Sequence, residues 1–174
     1  PRRIKALSDA FEALGATVRV SDDATAPPSL TEGVTHVCVV GGDGTVRHVA
    51  AAVARGNHAV VIGVDPAGTI NLLAREIGHV PSADDFAARL LANGEIFSHY
   101  PAALDGEFFF ACASAGPDSM SVQRVSGSLK HRYGRYAYAI AFLGLFRAWP
   151  RPRISIEADG ITHACEAFYV ARGR

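Results

Sequence analysis

Three glycines surround one carboxylate in Gly41-Gly42-Asp43-Gly44-Thr45, a segment that separates a β-branched run from a helical pattern. Because glycine has no side chain, the backbone N–H groups of such a loop can approach an anion, and a following helix adds the positive end of its dipole. A carboxylate there would repel a bare phosphate, so Asp43 indicates a bridging Mg²⁺ or the orientation of a hydroxyl group, while Thr45 can donate to a phosphate oxygen. The alternative is a tight turn that Asp43 and Thr45 cap.

This first loop, residues 41–45, differs from the two commonest phosphate-binding motifs. No Gly-Lys-Ser/Thr follows, as a Walker loop requires, and Arg47 stands where the dinucleotide fingerprint has its third glycine. A second loop, residues 66–71, also follows an apolar run and opens a helix. Its candidate nucleotide contacts are Gly68, Thr69 and Asn71, with a plain helix cap as the alternative.

The elements before these loops place both of them at one edge of a sheet. Residues 34–40 and 59–64 are nearly continuous β-branched runs, typical of parallel strands that are covered on both faces. Residues 46–55 between them have a helical pattern, which completes a βαβ unit. The carboxyl edge of such a sheet is the usual ligand crevice of open α/β folds.

The remaining pattern predicts two domains. The first, residues 1–96, adds helices at 4–14, 71–76 and 82–93 and a short strand at 17–20. The second, residues 97–174, is predicted to contain hairpins around Asp105-Gly106 and Asp159-Gly160, with a helix over residues 134–148 between them. Hairpins belong to antiparallel sheets, so this domain is of a different class.

Composition excludes several classes of protein. Acidic and basic residues number 17 each, 49% of residues are hydrophobic, and no apolar run is long enough to span a bilayer, so collagen-like, disordered and integral-membrane proteins are excluded. The three cysteines are widely spaced in apolar stretches, which favours buried free thiols over disulfides or a zinc site. No signal-peptide pattern is recognised at the start of the sequence, and we expect a cytoplasmic protein.

An aromatic segment with basic flanks, residues 133–149, lies in a region of one-sided charge. Residues 119–156 contain seven Lys or Arg and no Asp or Glu. This composition fits a helix that rests on an anionic membrane surface. The alternative is a helix packed on the second domain, because its apolar residues nearly encircle it.

Together these features resemble the catalytic domain of the diacylglycerol kinase and sphingosine kinase family of lipid kinases. The resemblance rests on the order strand, GGDGT, helix, strand, PxGTxN, helix and on the pair Ala74-Arg75. It continues through residues 109–117 (FFACASAGP), 130–138 and 171–174, and so covers nearly the whole chain.

The resemblance implies a fold, an activity and a set of site residues. The fold is a Rossmann-like α/β nucleotide-binding domain with a parallel sheet, followed by part of an antiparallel β-sandwich that binds lipid. The activity is ATP-dependent transfer of a phosphoryl group to the hydroxyl of a lipid such as diacylglycerol, with ATP and Mg²⁺ as cofactors. The implied ATP contacts are Gly41, Gly42, Asp43, Gly44, Thr45, Gly68, Thr69 and Asn71, and Asp43 is the candidate catalytic residue and metal ligand.

The implied partners are a lipid substrate and the anionic membrane surface, with peripheral association of a cytoplasmic protein and no nucleic acid. The oligomeric state is left open, with a homodimer as one candidate. Within the family pattern, a first strand would precede Pro1, and the last sandwich strands, with the carboxylate that activates the acceptor hydroxyl, would follow Arg174.

Two residues depart from the family pattern. His48 stands where the family usually has Glu, and Leu72 stands where an Asp is often seen. Despite both departures, we expect the chain to bind ATP. The residues do not determine its catalytic rate. Two further carboxylate positions have structural alternatives: Asp105 and Glu107 are expected in a hairpin turn rather than in catalysis, and Asp118 is expected to cap a helix rather than to bind a ligand.

Two other functions remain compatible with the residues. One is an NAD kinase or phosphofructokinase, which shares a GGDG loop and phosphorylates a soluble acceptor. A soluble acceptor would not explain the aromatic segment 133–149 with its flanking arginines. A nucleotide-binding module without catalysis is suggested by His48.

Overall fold

The structure is a computed structural model that describes residues 2–21, 30, 33–92, 94–117, 119–120, 136, 142–145 and 149–171. Its elements in chain order are α1 (Arg2–Ala13), β1 (His36–Gly41), α2 (Asp43–Arg55), β2 (Val61–Pro66), α3 (Leu72–Ile77), α4 (Ala83–Leu91), β3 (Ala102–Leu104), β4 (Glu107–Phe109), β5 (Cys112–Ala115), β6 (Ile154–Ala158), β7 (Ile161–Cys165) and β8 (Phe168–Ala171). They form two compact units, Pro1–Phe110 and Ala111–Arg174.

Two parallel strands form the centre of the first unit, as the sequence predicts. β1 and β2 pair from His36 opposite Val61 to Gly41 opposite Pro66, so both end at the same edge. Side chains of successive strand residues point to opposite faces, and both faces of this pair are covered by helices. The α/β class is therefore confirmed.

The two faces of the sheet have separate hydrophobic clusters. On one face, Val39 and Val64 pack with Val46 and Val49 of α2 and Ala74 of α3. On the other face lie Cys38, Val40 and the helices α1 and α4, whose buried residues are Leu7, Ala10, Phe11, Phe86 and Ala87. Gly63 of β2 provides room for α4, because a Cβ there would lie 2.7 Å from the Leu90 side chain.

The predicted helix over residues 4–14 is confirmed as α1, and Gly15 follows it with a φ of +83°. The predicted strand over residues 17–20 is wrong, because this described segment has no strand. A strand needs a partner for its backbone groups. Val18 instead packs on the cluster formed by α1 and α4.

The first predicted hairpin is confirmed and belongs to the first unit. β3 and β4 pair antiparallel from Leu104 opposite Glu107, and Asp105 and Gly106 between them have φ values of +48° and +78°. Two successive positive φ values fit the twist of a two-residue hairpin turn. The next residue after β4, Phe110, is buried against Ala50 and Ala51 of α2. The first compact unit therefore extends to Phe110, whereas the sequence places the domain boundary after residue 96. The assignment of ATP binding to the first domain and lipid binding to the second stays a prediction.

The second unit is antiparallel, as predicted, but its pairing is not sequential throughout. β6 and β7 form the predicted hairpin around Asp159 and Gly160. The predicted second arm, residues 161–170, is interrupted, and β8 pairs with β5 instead. Most of the predicted helix over residues 134–148, the basic segment 130–138 apart from residue 136, and Asp118 lie outside the described residues. The complete β-sandwich stays a prediction.

Among the described residues, no helix is both long and apolar enough to cross a membrane. The three cysteines are free, as predicted, although each is half-buried rather than fully buried.

Candidate functional site

The two glycine loops begin side by side at the carboxyl edge of the parallel sheet. Gly41 is opposite Pro66 in the strand register, and the Ala67 N–H donates to the Gly41 carbonyl oxygen at 3.0 Å. The sheet ladder thus continues into the second loop by one hydrogen bond. The sequence-based prediction that both loops share an edge is confirmed.

Gly42 and Gly68 bring the loops into direct backbone contact. A Cβ built on Gly68 would lie 2.6 Å from the Gly42 Cα, and one built on Gly42 would lie 3.1 Å from the Gly68 Cα. Real Cβ atoms essentially never approach backbone that closely, so any larger residue at Gly68 would push the loops apart. Glycine is needed at this point for close approach rather than for an unusual φ.

Asn71 fixes the conformation of the second loop. Its side chain accepts a hydrogen bond from the Gly68 N–H at 2.9 Å and donates to the Gly68 carbonyl oxygen at 2.8 Å. Asn71 itself has a φ of +55°, a left-handed conformation that asparagine tolerates better than most residues. This residue immediately precedes α3, so its two hydrogen bonds close the loop against the start of that helix.

Asp43 connects the first loop to α3. Its carboxylate oxygen Oδ1 accepts a hydrogen bond from the Leu73 N–H at 3.3 Å, across thirty positions of the sequence. One carboxylate oxygen therefore satisfies an amide in the first turn of α3, an end that offers free N–H groups. Asp43 is half-buried and leaves Oδ2 for another partner.

The start of α2 offers backbone donors to an anion. The helix begins at Asp43, directly after its N-cap Gly42, which carries no side chain to accept from the first-turn amides. By contrast, the side chain of Ser82 caps α4 by accepting from the Asp85 N–H at 3.2 Å. Gly44 is exposed, and the Thr45 side chain packs back on Gly41, where an added Cβ would lie 2.7 Å from the Thr45 Cβ.

The sequence-predicted site residues are thus collected at one sheet edge, with Thr69 exposed in the second loop. Within the described part of the chain, no three His, Cys, Asp or Glu side chains form a group that could hold a metal ion by themselves. A magnesium site that uses one protein carboxylate together with substrate phosphates fits this arrangement, because Mg²⁺ is commonly held in that way. Asp43 is the residue that would supply the carboxylate.

Sequence reasoning missed a buried carboxylate next to the second loop. Asp65, the residue before Pro66 in β2, has a side chain that is only 4% exposed and pairs with Arg3 of α1. The Arg3 Nε donates to Oδ2 at 3.1 Å and the Arg3 Nη2 to Oδ1 at 2.5 Å. A charged residue at the end of an apolar run is a visible signal, but its partner lies 62 positions away and no local pattern reveals it.

Cys38 of β1 lies near the pair of Arg3 and Asp65 and has a perturbed pKa. Burial, with a smaller contribution from the Asp65 charge, raises the pKa of the Cys38 thiol from 9.0 to about 12, against the opposite influence of Arg3. The hydrogen bond and charge of Asp65 in turn raise the pKa of the Arg3 guanidinium above its ordinary value. The thiol is therefore neutral and unreactive at physiological pH.

The remaining candidate carboxylates have structural surroundings. Glu107 pairs with Arg55 at 3.3 Å and with Arg47 at 3.8 Å, and Arg55 also lies 5.3 Å from the centroid of the Phe108 ring. These contacts attach the hairpin to α2 on the protein surface. Asp105 lies in the turn, as predicted, and His48 is exposed on α2.

Comparison with known proteins identifies the family of this fold and these loops. The model of the diacylglycerol kinase catalytic domain matches residues 11–98, half of the chain. "Diacylglycerol kinase" of Bacillus subtilis (strain 168) is 29% identical over 125 residues, which are 71% of this chain and 41% of the relative. "Diacylglycerol kinase" of Staphylococcus carnosus (strain TM300) is 27% identical over 152 residues, 86% of this chain and 49% of the relative.

Two further similarities agree with this family. "Probable lipid kinase YegS-like" of Pseudomonas aeruginosa (strain UCBPP-PA14) is 33% identical over 118 residues, 68% of this chain and 38% of the relative. Among solved structures, "A putative diacylglycerol kinase from Bacillus anthracis str. Sterne" superposes with a TM-score of 0.67 at 20% identity and covers 99% of this chain and 61% of that one. The chain spans less than half the length of the curated relatives that it matches. It belongs to the family of the diacylglycerol kinase catalytic domain.

Proposed function

We propose that the protein is an ATP-dependent lipid kinase that transfers the γ-phosphoryl group to the hydroxyl of a lipid such as diacylglycerol. The observation that carries the proposal is the backbone contact of Gly42 and Gly68, which joins two loops that open helices at the carboxyl edge of a parallel sheet. Membership of the diacylglycerol kinase catalytic domain family supports the same function.

In this proposal the first loop binds the phosphates of ATP. The amides of Asp43, Gly44 and Thr45 in the first turn of α2 would donate to phosphate oxygens, with the helix dipole in the favourable direction. Gly68, Thr69 and Asn71 would complete the nucleotide site from the second loop. Asp43 would bind Mg²⁺ through Oδ2 while Oδ1 stays with the Leu73 amide.

Phosphoryl transfer from ATP to a hydroxyl group requires no covalent intermediate with the protein. The lipid hydroxyl oxygen forms a bond to the γ-phosphorus, the bond from that phosphorus to the bridging oxygen breaks, and ADP leaves with the electron pair. Bound Mg²⁺ supplies charge neutralisation to the phosphates. The two loops supply positioning, and the proton of the lipid hydroxyl is released to solvent in the net reaction.

A lipid acceptor also requires contact with a membrane, which we propose to be peripheral and to occur on the cytoplasmic side. The aromatic segment 133–149 with its flanking arginines suits an anionic surface. Replacing Arg147 and Arg151 with Glu is expected to weaken sedimentation with phosphatidylglycerol vesicles. Unchanged sedimentation would assign the segment to the protein interior instead.

The direct test is transfer of label from Mg²⁺ and γ-labelled ATP into a total lipid extract. Protein expressed from the complete gene and the 174-residue chain are assayed in parallel, and the organic and aqueous phases are counted separately. Label in the organic phase supports the lipid kinase. Label only in water-soluble acceptors would indicate an NAD kinase-like phosphotransferase, and nucleotide binding without any transfer would indicate a binding module.

A further inference from the structure

We infer that Arg3 and Asp65 are positioning residues that hold the second loop against the first. Only the expected effect on nucleotide binding rests on the proposed function. The structural basis of the inference is that the guanidinium group of Arg3 hydrogen-bonds to both ends of residues 65–81. This segment contains the second loop and α3.

At the entrance of this segment, Arg3 holds Asp65. Three Arg3 to Asp65 hydrogen bonds, from Nε to both carboxylate oxygens and from Nη2 to Oδ1, fix the orientation of the carboxylate. Asp65 is the third residue before Gly68, and the intervening backbone is tied to the first loop by the bond from Ala67 to Gly41. A shift of Asp65 is therefore transmitted directly to the contact between the two glycines.

At the exit of the segment, the same guanidinium holds a backbone carbonyl. Arg3 Nη1 donates to the Pro81 carbonyl oxygen at 2.8 Å, immediately before the N-cap Ser82 of α4. The second loop and α3 both lie between Asp65 and Pro81. Arg3 therefore holds the two ends of this segment close together through its hydrogen bonds. A planar group with several donors in a rigid arrangement is suited to this double contact, and lysine is not.

Helix α1, which carries Arg3, is held in place by apolar packing that does not depend on the charge of Arg3. Leu7, Ala10 and Phe11 of α1 are buried against α4, and the rings of Phe11 and Phe86 meet edge to face at 6.5 Å. Helix α1 is thus anchored to the sheet by apolar contacts. Replacement of Arg3 is expected to release residues 65–81 without releasing α1.

The first test is amide hydrogen exchange of the Arg3→Met and Arg3→Lys variants. Exchange at residues 49–55 of α2, which form part of the core, reports the global loss of stability in each variant. Peptides covering residues 66–78 are expected to accelerate at least about tenfold more than these α2 peptides in both variants, because local opening becomes easier. Lys5→Met, which breaks the exposed pair of Lys5 with Asp9 on the same helix, is the matched control. Acceleration at residues 66–78 no greater than that at residues 49–55 in a folded Arg3→Met protein would refute the positioning role.

The second test separates positioning from stability. The double variant Arg3→Met, Asp65→Leu removes both charges and replaces a buried pair with apolar side chains, which often restores stability. We expect the melting temperature to recover while exchange at residues 66–78 stays fast, because the contact with Pro81 is still missing. Recovery of both would mean that the pair acts through stability alone.

The third test connects the pair to nucleotide binding. Titration with a trinitrophenyl-ATP analogue is expected to show an affinity loss of at least about tenfold in Arg3→Met, because the second loop is no longer held in its binding conformation, and no loss in Lys5→Met. Normal affinity in Arg3→Met despite fast exchange would contradict the effect on the site. If the unmodified protein binds no nucleotide, the proposed function fails, and the exchange experiment still decides the role of Arg3.

Discussion

Asp43 and Leu73 are joined by a hydrogen bond from the Leu73 N–H to the carboxylate oxygen Oδ1 at 3.3 Å. In the proposed function, the single carboxylate of the first loop has two distinct tasks. One oxygen satisfies the start of α3, and the other remains for a ligand. The two tasks can be separated by mutation, because an amide side chain retains an accepting oxygen but loses the charge.

Asp43→Asn is therefore expected to keep the fold and lose turnover. The asparagine carbonyl oxygen can still accept from the Leu73 N–H, so the melting temperature should change little, whereas loss of the charge should lower kcat by at least about 100-fold. Asp43→Ala, which loses both functions, is the comparison and should melt at a lower temperature. Phosphorylation of lipid at an undiminished rate by Asp43→Asn would contradict the role of Asp43.

The contact between Gly42 and Gly68 can be tested with a pair of alanine variants. Gly68→Ala places a Cβ 2.6 Å from the Gly42 Cα and is expected to destabilise the fold by about 1–3 kcal/mol and to weaken ATP binding. Gly44→Ala has no atom within 4 Å of the new Cβ and lies in α2, so it should leave stability unchanged or raise it by up to about 1 kcal/mol. Thermal melts and ATP titrations measure both effects. Equal melting temperatures for the two variants would show that the close approach is not required.

Breaking the ion pair of Asp65 with Arg3 is expected to cost more stability than breaking a surface pair. Asp65 is 4% exposed and Arg3 35% exposed, so Arg3→Met leaves a buried charge and should lower the free energy of unfolding by about 3 kcal/mol. Lys5→Met should change it by no more than about 0.5 kcal/mol, because that pair is exposed. Urea denaturation followed by circular dichroism measures both. A smaller effect for Arg3→Met than for Lys5→Met would be inconsistent with this burial.

The Cys38 thiol predicts a loss of stability at alkaline pH. Its pKa in the folded chain is about 12 against a reference of 9.0, so the unfolded state releases its proton first as pH rises. The contribution is complete below pH 9 and is lost progressively toward pH 12, with an upper limit of about 4 kcal/mol. Urea denaturation at several pH values from 8 to 11 should show this slope, and Cys38→Ala should reduce it. An identical slope in Cys38→Ala would assign the alkaline loss to other groups.

Glu107→Gln is expected to leave catalysis unchanged. The pairs of Glu107 with Arg47 and Arg55 are exposed, so their loss should cost no more than about 1 kcal/mol. Lipid phosphorylation by the variant, at saturating ATP and lipid, checks the assignment of this carboxylate to the hairpin. A large fall in kcat with an unchanged melting temperature would return Glu107 to the list of catalytic candidates.

Much of the candidate site could be predicted from the sequence because its signals are local. Glycine clusters directly after β-branched runs predict loops at strand ends, and the helical pattern between the runs makes the strands parallel. These two facts alone place residues 41–45 and 66–71 at one edge. The hairpin at Asp105 and Gly106 is equally local, since the turn residues themselves have the required backbone conformations.

Other features were decided only by the tertiary structure, because they depend on partners far apart in the sequence. The strand predicted at residues 17–20 does not form, since propensity supplies no partner strand, and β8 pairs with β5 rather than extending the hairpin before it. Arg3 and Asp65, 62 positions apart, meet because packing of α1 brings a guanidinium over the end of β2. Sequence spacing determines which residues share a face of one element, while the packing of elements determines which faces meet.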